Sequence, residues 1–228
     1  MNERSCIQTV GITRVFGRGS GAVTVLKGVD MTIPMGQMTA FIGRSGSGKT
    51  TLINLLGALD QPTEGSIQID NQVITEMTDK EREQLRRSQI GLVFQSFALI
   101  PLMTAYENVE FVLRIAGYSA KERKKAALEA LEQVGLTSRM HHRPFEMSGG
   151  EQQRIAIARA IAHKPKLILA DEPTAELDSI TGIKIMKVFR DLINEYGVSI
   201  ILTSHDPEII EIVDQVYELE DGLIVSRS

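Results

Sequence analysis

Gly43-Arg44-Ser45-Gly46-Ser47-Gly48-Lys49-Thr50 fits the spacing G-x-x-x-x-G-K-[ST], and each residue type has a reason to stand where it does. Glycines let consecutive backbone N–H groups turn toward one phosphate, and a helix opening at the end of the loop adds its partial positive charge. Lys49 is long enough to reach the outer phosphates, and the Thr50 hydroxyl is a hard oxygen donor suited to Mg²⁺. Ser45, Ser47 and Thr51, in and beside the loop, are counted with the residues that touch bound phosphate. A flexible Gly/Ser turn with an incidental lysine is the plain alternative. The apolar run MTAFIG before the loop and the amphipathic stretch after it are the context that phosphate binding requires. Gly17-Arg18-Gly19-Ser20-Gly21 lacks that context, being followed by β-like sequence, and reads as a mobile hairpin tip.

Phosphate chemistry also needs an acid to hold the metal and a base to act on water. The string LILADE supplies both, because Leu167 to Ala170 reads as a buried strand and Asp171 follows at its carboxyl end, where α/β sheets place ligands. Glu172 comes next, suited to orienting and polarising an attacking water.

Several elements must position these groups. The chain starts as β structure, with CIQTVGIT and VTVLKGVDMTI followed by a turn at Pro34 to Gln37. Leu52, Leu55, Leu56 and Leu59 recur at helical spacing behind the glycine loop, and SIQID and VIT flank Asn71-Gln72 as a hairpin. From about Gln95 to Pro165 the pattern is helical, and Ser119 with Glu122 forms a capping box on a helix that closes at Gly135. Then β/α alternation resumes: KLILA, a helix with Ile185, Phe189, Leu192, Ile193 and Tyr196 on one face, VSIILT, a short helix after Asp206-Pro207, and QVYELE with LIVS around Asp221-Gly222. Runs as apolar as LILA and SIIL fit a parallel sheet buried on both faces. The expected fold is α/β, a core sheet with an N-terminal antiparallel β lobe and an inserted α-helical part.

Met147-Ser148-Gly149-Gly150-Glu151-Gln152-Gln153-Arg154 makes the pattern specific. It resembles the LSGGQ signature that opens a helix in ABC ATPases, and the resemblance runs through essentially the whole chain. It implies a P-loop NTPase sheet, with residues 1–94 and 165–228 as RecA-like core plus β lobe and about 95–164 as helical signature subdomain. It also implies ATP and Mg²⁺ as cofactors. Phe16 falls where that family stacks adenine, although an ordinary aromatic at a strand end looks the same. Gln95 in GLVFQ resembles the Q-loop glutamine, a metal ligand beside Thr50 and Asp171; Asp178 resembles the D-loop aspartate, and His205 the switch histidine that contacts the γ-phosphate. The family works as a head-to-tail dimer in which Ser148, Gly149 and Gly150 of one copy would cover the nucleotide held by its twin. The exposed half of a P-loop-bound γ-phosphate suits a second helix N-terminus.

Two signature positions depart from that pattern. Met147 for Leu conserves volume. Glu151 for Gln has two readings: a capping box in which Glu151 satisfies the Ser148 backbone N–H and stays clear of nucleotide, or a carboxylate near the phosphates that weakens dimer closure. His141-His142 reads as a solvated loop and Lys121 to Lys125 as a solvated helix face.

Composition narrows the class. A 228-residue chain that is 43% hydrophobic has a sizeable core, so its single cysteine, Cys6, is read as a small strand residue in a reducing compartment. A net charge of −4 with 5% aromatics and no Trp gives neither the field nor the stacking surface of a nucleic-acid binder. No apolar run approaches the about 18 residues a span needs, so direct membrane insertion is not expected. A cytoplasmic protein, peripheral on the inner face of the membrane through a separate integral-membrane permease, follows from the resemblance. Segments such as ALIPLMTAYENVE and IARAIAHKPKLILADEPTAELD resemble the MacB/LolD branch of macrolide export and lipoprotein or peptide handling, although PTAELD departs from its usual form. A soluble ABC ATPase and a nucleotide-gated scaffold without turnover are the alternative readings.

Overall fold

The computed structural model describes residues 5–228. Two sheets organise it. Strands β1 (Ser5–Phe16), β2 (Val23–Pro34), β4 (Glu64–Ile69) and β5 (Gln72–Val73) form an antiparallel sheet in the order β2-β1-β4-β5. Strands β3 (Met38–Ile42), β6 (Ile90–Val93), β7 (Leu167–Ala170), β8 (Ser199–Thr203), β9 (Gln215–Glu220) and β10 (Leu223–Arg227) form the second, in the order β10-β9-β3-β8-β7-β6. All its pairings are parallel except β9 with β10.

The near-pure apolar strands are explained by what covers them. Phe41, Leu167, Leu169 and Ile201 point into one core, shared with the β lobe and with Leu52, Leu55 and Leu56 of helix α1 (Lys49–Leu56). Their neighbours Ala40, Ile168, Ala170, Ile200 and Leu202 point into the other, shared with the helices. With a side-chain period of two, a strand covered on both faces cannot alternate apolar with polar.

The second core is built on α3 (Ala105–Ile115), α4 (Ala120–Gln133), α5 (Gly149–Ile161) and α6 (Ser179–Tyr196). α7 (Pro207–Ile210) is a single turn before β9. The capping box expected at Ser119 and Glu122 is present, and Cys6 is buried on β1, where loss of water raises its thiol pKa.

Several expectations need correction. Helix α1 ends at Leu56, so Leu59 lies beyond it and is 45% exposed. The lobe hairpin turns at Asp70-Asn71, one residue earlier than read, with both residues at positive φ (43° and 66°) as a two-residue hairpin turn requires. β5 is short, and Ile74–Glu76 forms a 3-10 turn in place of a strand. Tyr196 leaves the core face of α6 and accepts from the Gln133 amide through its hydroxyl at 2.6 Å. Residues 95–104 are loop, and the helical part opens at Ala105. Two elements were unread: strand β6, and helix α2 (Asp79–Gln89), which is capped by Thr78 and Glu81 and buries only Leu85.

Candidate active site

Strand order brings the chemistry together. β3, β8 and β7 are neighbours, so their carboxyl ends place the glycine loop, Thr203 to His205, and Asp171-Glu172 side by side. The loop is held against β9 and the turn into β10: the Ser47 carbonyl accepts from the Gly222 N–H at 3.1 Å. Gly43, at φ 145°, has no room for a side chain, because a Cβ would run into the Leu219 carbonyl oxygen.

Within the loop, Lys49 is buried and its ammonium donates to the carbonyls of Gly43 (2.8 Å) and Arg44 (3.1 Å). It is thus folded over the cradle that a phosphate would fill. The buried Ser47 hydroxyl has no hydrogen-bond partner, an orphan of the kind an incoming phosphate oxygen would satisfy. Thr50 opens outward and donates to Asp171 Oδ1 at 3.3 Å. Two hard oxygen donors this close suit a small divalent cation such as Mg²⁺.

The acid strand ends in a tight arrangement. The Thr203 hydroxyl donates to Asp171 Oδ1 at 2.7 Å and accepts the Glu172 backbone N–H at 2.8 Å. Glu172 sits at φ 46°, a left-handed conformation that costs a non-glycine residue about 1–3 kcal/mol. Its carboxylate lies 2.9 Å from His205 Nδ1, and the two line a cavity of about 300 Å³ with Thr174 and Ser204. A carboxylate, an imidazole and a two-oxygen metal corner around one opening can orient water beside a phosphate.

The remaining expected residues fall around this centre. Gln95 follows β6 and turns its amide to Glu176 Oε1 at 3.4 Å; it makes no hydrogen bond to Thr50 or Asp171 here. Phe16, at the end of β1, is half-exposed, and the Arg14 guanidinium lies 4.4 Å from its ring centre, leaving one face to be covered by other means. Ser148 caps α5, with Gly149 and Gly150 opening the helix. The Ser148 hydroxyl hydrogen-bonds Glu151 and none of residues 43–51. Gly149 instead faces Leu177, Glu176 and Phe97. Asp178 caps α6, and the hydrogen bonds from the Thr181 hydroxyl (2.7 Å) and N–H (3.0 Å) pull its pKa down.

Glu151 forms the capping box that the sequence suggested. Its carboxylate accepts the Ser148 N–H at 2.9 Å and pairs with Arg139 at 3.0 Å, and the Ser148 N–H is the main cause of its lowered pKa. His142 packs beside the same arginine, with Nε2 3.1 Å from Arg139 Nη1.

The family model for ABC transporters matches residues 26–175, from within β2 to just past Glu172. The chain belongs to the ABC transporter family.

Among its relatives, this ABC chain is 44% identical over 209 residues to the lipoprotein-releasing system ATP-binding protein LolD of Legionella pneumophila, covering 92% of each. It is 43% identical over 225 residues to the macrolide export ATP-binding/permease protein MacB of Wolinella succinogenes, and there it spans 99% of itself but 35% of that longer protein. Among solved structures, the ATP-binding cassette MJ0796 of Methanocaldococcus jannaschii, a dimer in a post-hydrolysis state with ADP and phosphate, superposes with a TM-score of 0.90 at 41% identity, covering 97% of each chain. The core sheet is accordingly a P-loop NTPase sheet, as the sequence led us to expect.

Some residues that build this ABC site escaped the sequence reading. Thr203 is one, since its link to Asp171 crosses from β8 to β7. Gln153 is fully buried and its amide donates to the Pro173 carbonyl at 2.7 Å, tying the signature helix to the loop after Glu172. Arg159, also on α5, donates to the carbonyls of Phe97 (2.8 Å) and Ala98, whose residues both sit at positive φ. A buried polar residue on an otherwise apolar helix face was the available signal for Gln153.

Proposed function

We propose that this chain binds ATP with Mg²⁺, hydrolyses it as a head-to-tail homodimer, and drives a separate integral-membrane permease of the MacB/LolD type. The convergence of Lys49, Thr50, Asp171, Glu172 and His205 on one edge of the sheet carries this reading. In it, Lys49 exchanges the Gly43 and Arg44 carbonyls for phosphate oxygens, and the loop N–H groups and Ser47 complete the grip. Thr50 and Asp171 would hold Mg²⁺, and Gln95, whose amide nitrogen contacts Glu176 here, would be the third residue to hold it. Bound Mg²⁺ supplies charge neutralisation on the phosphate oxygens. Glu172 polarises the attacking water, and His205 holds the γ-phosphate and the Glu172 carboxylate in register.

Ser148, Gly149 and Gly150 of a second copy close the site from outside, with Asp178 at the same seam, and Phe16 carries the adenine on its open face. Residues 95–164 act as the signature subdomain. A cavity of about 520 Å³ between Leu92 and Phe94 on the core side and Phe111, Val112 and Ile115 on α3 suits the docking of a permease segment. Among the described residues no helix is long and apolar enough to cross a membrane, which leaves that span to the permease. The relatives named for macrolide export and lipoprotein release favour export or lipoprotein and peptide handling, on the inner face of the cell membrane.

The test is Glu172→Gln. Losing a general base costs about 10²–10⁴-fold in turnover. With ATP and Mg²⁺ the variant should accumulate as a dimer by light scattering while the parent cycles back to monomer. Turnover equal to the parent's would remove Glu172 from its role, and a parent without turnover would leave a nucleotide-gated scaffold as the better account.

A further inference from the structure

Thr203 is fully buried at the end of β8, in register with Phe41 of the strand that feeds the glycine loop and beside the end of β7. Its hydroxyl has one proton to give. The Glu172 backbone N–H can only donate, so at 2.8 Å the Thr203 oxygen must accept from it. That leaves the proton for Asp171 Oδ1 at 2.7 Å. The direction of the chain of hydrogen bonds is therefore fixed, from the Glu172 backbone through Thr203 to the Asp171 carboxylate.

Two consequences follow. Asp171 Oδ1 is anchored from behind by a buried donor, so the carboxylate is set in one rotamer before any cation arrives. Glu172 is held in its left-handed conformation (φ 46°) by a partner for its N–H that no other described residue provides. We infer that Thr203 is the positioning residue of the site, fixing the metal-holding acid and the water-polarising acid relative to each other through a single hydroxyl. This deepens the proposed ATPase reading and rests on it for its effect on turnover.

The test compares the parent with Thr203→Val, which keeps the shape and removes the hydroxyl, and Thr203→Ser, which keeps the hydroxyl. Partners of this kind behind a metal ligand are worth about 10–100-fold in metal affinity or activity. The Mg²⁺ concentration that half-saturates ATP hydrolysis should rise by that factor in the valine variant, and serine should recover most of it. Affinity for a fluorescent ATP analogue in EDTA should match the parent in both variants, because the glycine loop is untouched. Amide hydrogen exchange in the peptide containing Glu172 should speed up in the valine variant alone. Thr203→Ala carries the same expectations and decides the matter where the valine protein does not fold. A valine or alanine variant with parental Mg²⁺ dependence and parental exchange at Glu172 would overturn the inference. A parent that hydrolyses no ATP would sink the proposed function instead, and the exchange comparison would still decide the role of Thr203.

Discussion

Asn108 gives the sharpest stability prediction. It is buried on α3, and its side chain holds the loop that runs from the glutamine end of β6 into that helix. Its Oδ1 accepts the Ile100 N–H at 2.8 Å, and its Nδ2 donates toward the carbonyls of Thr104 (3.0 Å), Met103 (3.1 Å) and Ile100 (3.2 Å). Two N–H protons serve three acceptors, so the side chain is worth two donated bonds and one accepted bond. At about 1 kcal/mol net for each, Asn108→Ala removes about 3 kcal/mol. Water can replace some of this, since Pro101 and Leu102 are exposed, while the Ile100 N–H is only half-open. The expected loss is therefore about 2–3 kcal/mol. Urea unfolding should show a lower midpoint at an unchanged slope, and hydrogen exchange should rise across residues 100–104 before it rises elsewhere. A midpoint within about 0.5 kcal/mol of the parent, a shift typical of a surface change, would refute the claim that this one amide braces the loop.

Two further predictions test other joints. A Cβ on Gly150 would fall inside contact distance of Thr181 Cγ2, and Thr181 cannot simply rotate away because its hydroxyl is bound to Asp178 at 2.7 Å. Gly150→Ala should cost about 1–3 kcal/mol as overpacking, and much less in a Thr181→Ser background; additive effects in the four-protein cycle would show that the two do not meet. For Asp214, burial favours the protonated form, but the Arg190 guanidinium (2.8 Å) and the Met38 N–H (2.8 Å) outweigh it and hold the carboxyl below its ordinary pKa. A lowered folded pKa gives stability that is present above the unfolded value and lost as pH falls through the folded one. The advantage of the parent over Asp214→Asn in urea should thus shrink from neutrality into acid, and a difference constant with pH would contradict it.

How much the sequence revealed depended on the range of the interaction. The glycine loop, LILA, SIIL and the Ser119 cap are legible locally: each is marked by residue types within a few positions of one another, although the strands are covered by distant elements. Helix α2 was missed for a local reason of another kind. Its DKEREQLRRSQ carries almost no apolar periodicity and buries Leu85 alone, so only the Thr78-to-Glu81 cap announced it. The Asp70-Asn71 turn was misplaced by one residue because two non-glycine residues take positive φ there, aspartate among them. The Thr203 hydroxyl is different again. Asp171 is reached only because β7 and β8 are neighbours in the sheet, and no spacing within LTSHD encodes that pairing.

Local and long-range contacts meet in the segment after the acid strand. Residues 172–181 touch several other elements in turn: Glu172 meets His205, the Pro173 carbonyl takes the buried Gln153 amide, Glu176 takes the Gln95 amide, Leu177 lies against Gly149, and Thr181 lies against Gly150. Between these contacts the segment is braced by its own turns, with Ala175 N–H on the Glu172 carbonyl at 3.2 Å and Leu177 N–H on that of Thr174 at 3.0 Å. The Gln95 contact is long at 3.4 Å and exposed, whereas the Gln153 contact is short at 2.7 Å and buried. Loss of the first costs little because water replaces it, and loss of the second strands a buried carbonyl. Gln95 is thus the weaker joint of this segment, and Gln153 is the joint that keeps α5 attached to the loop after the acid strand.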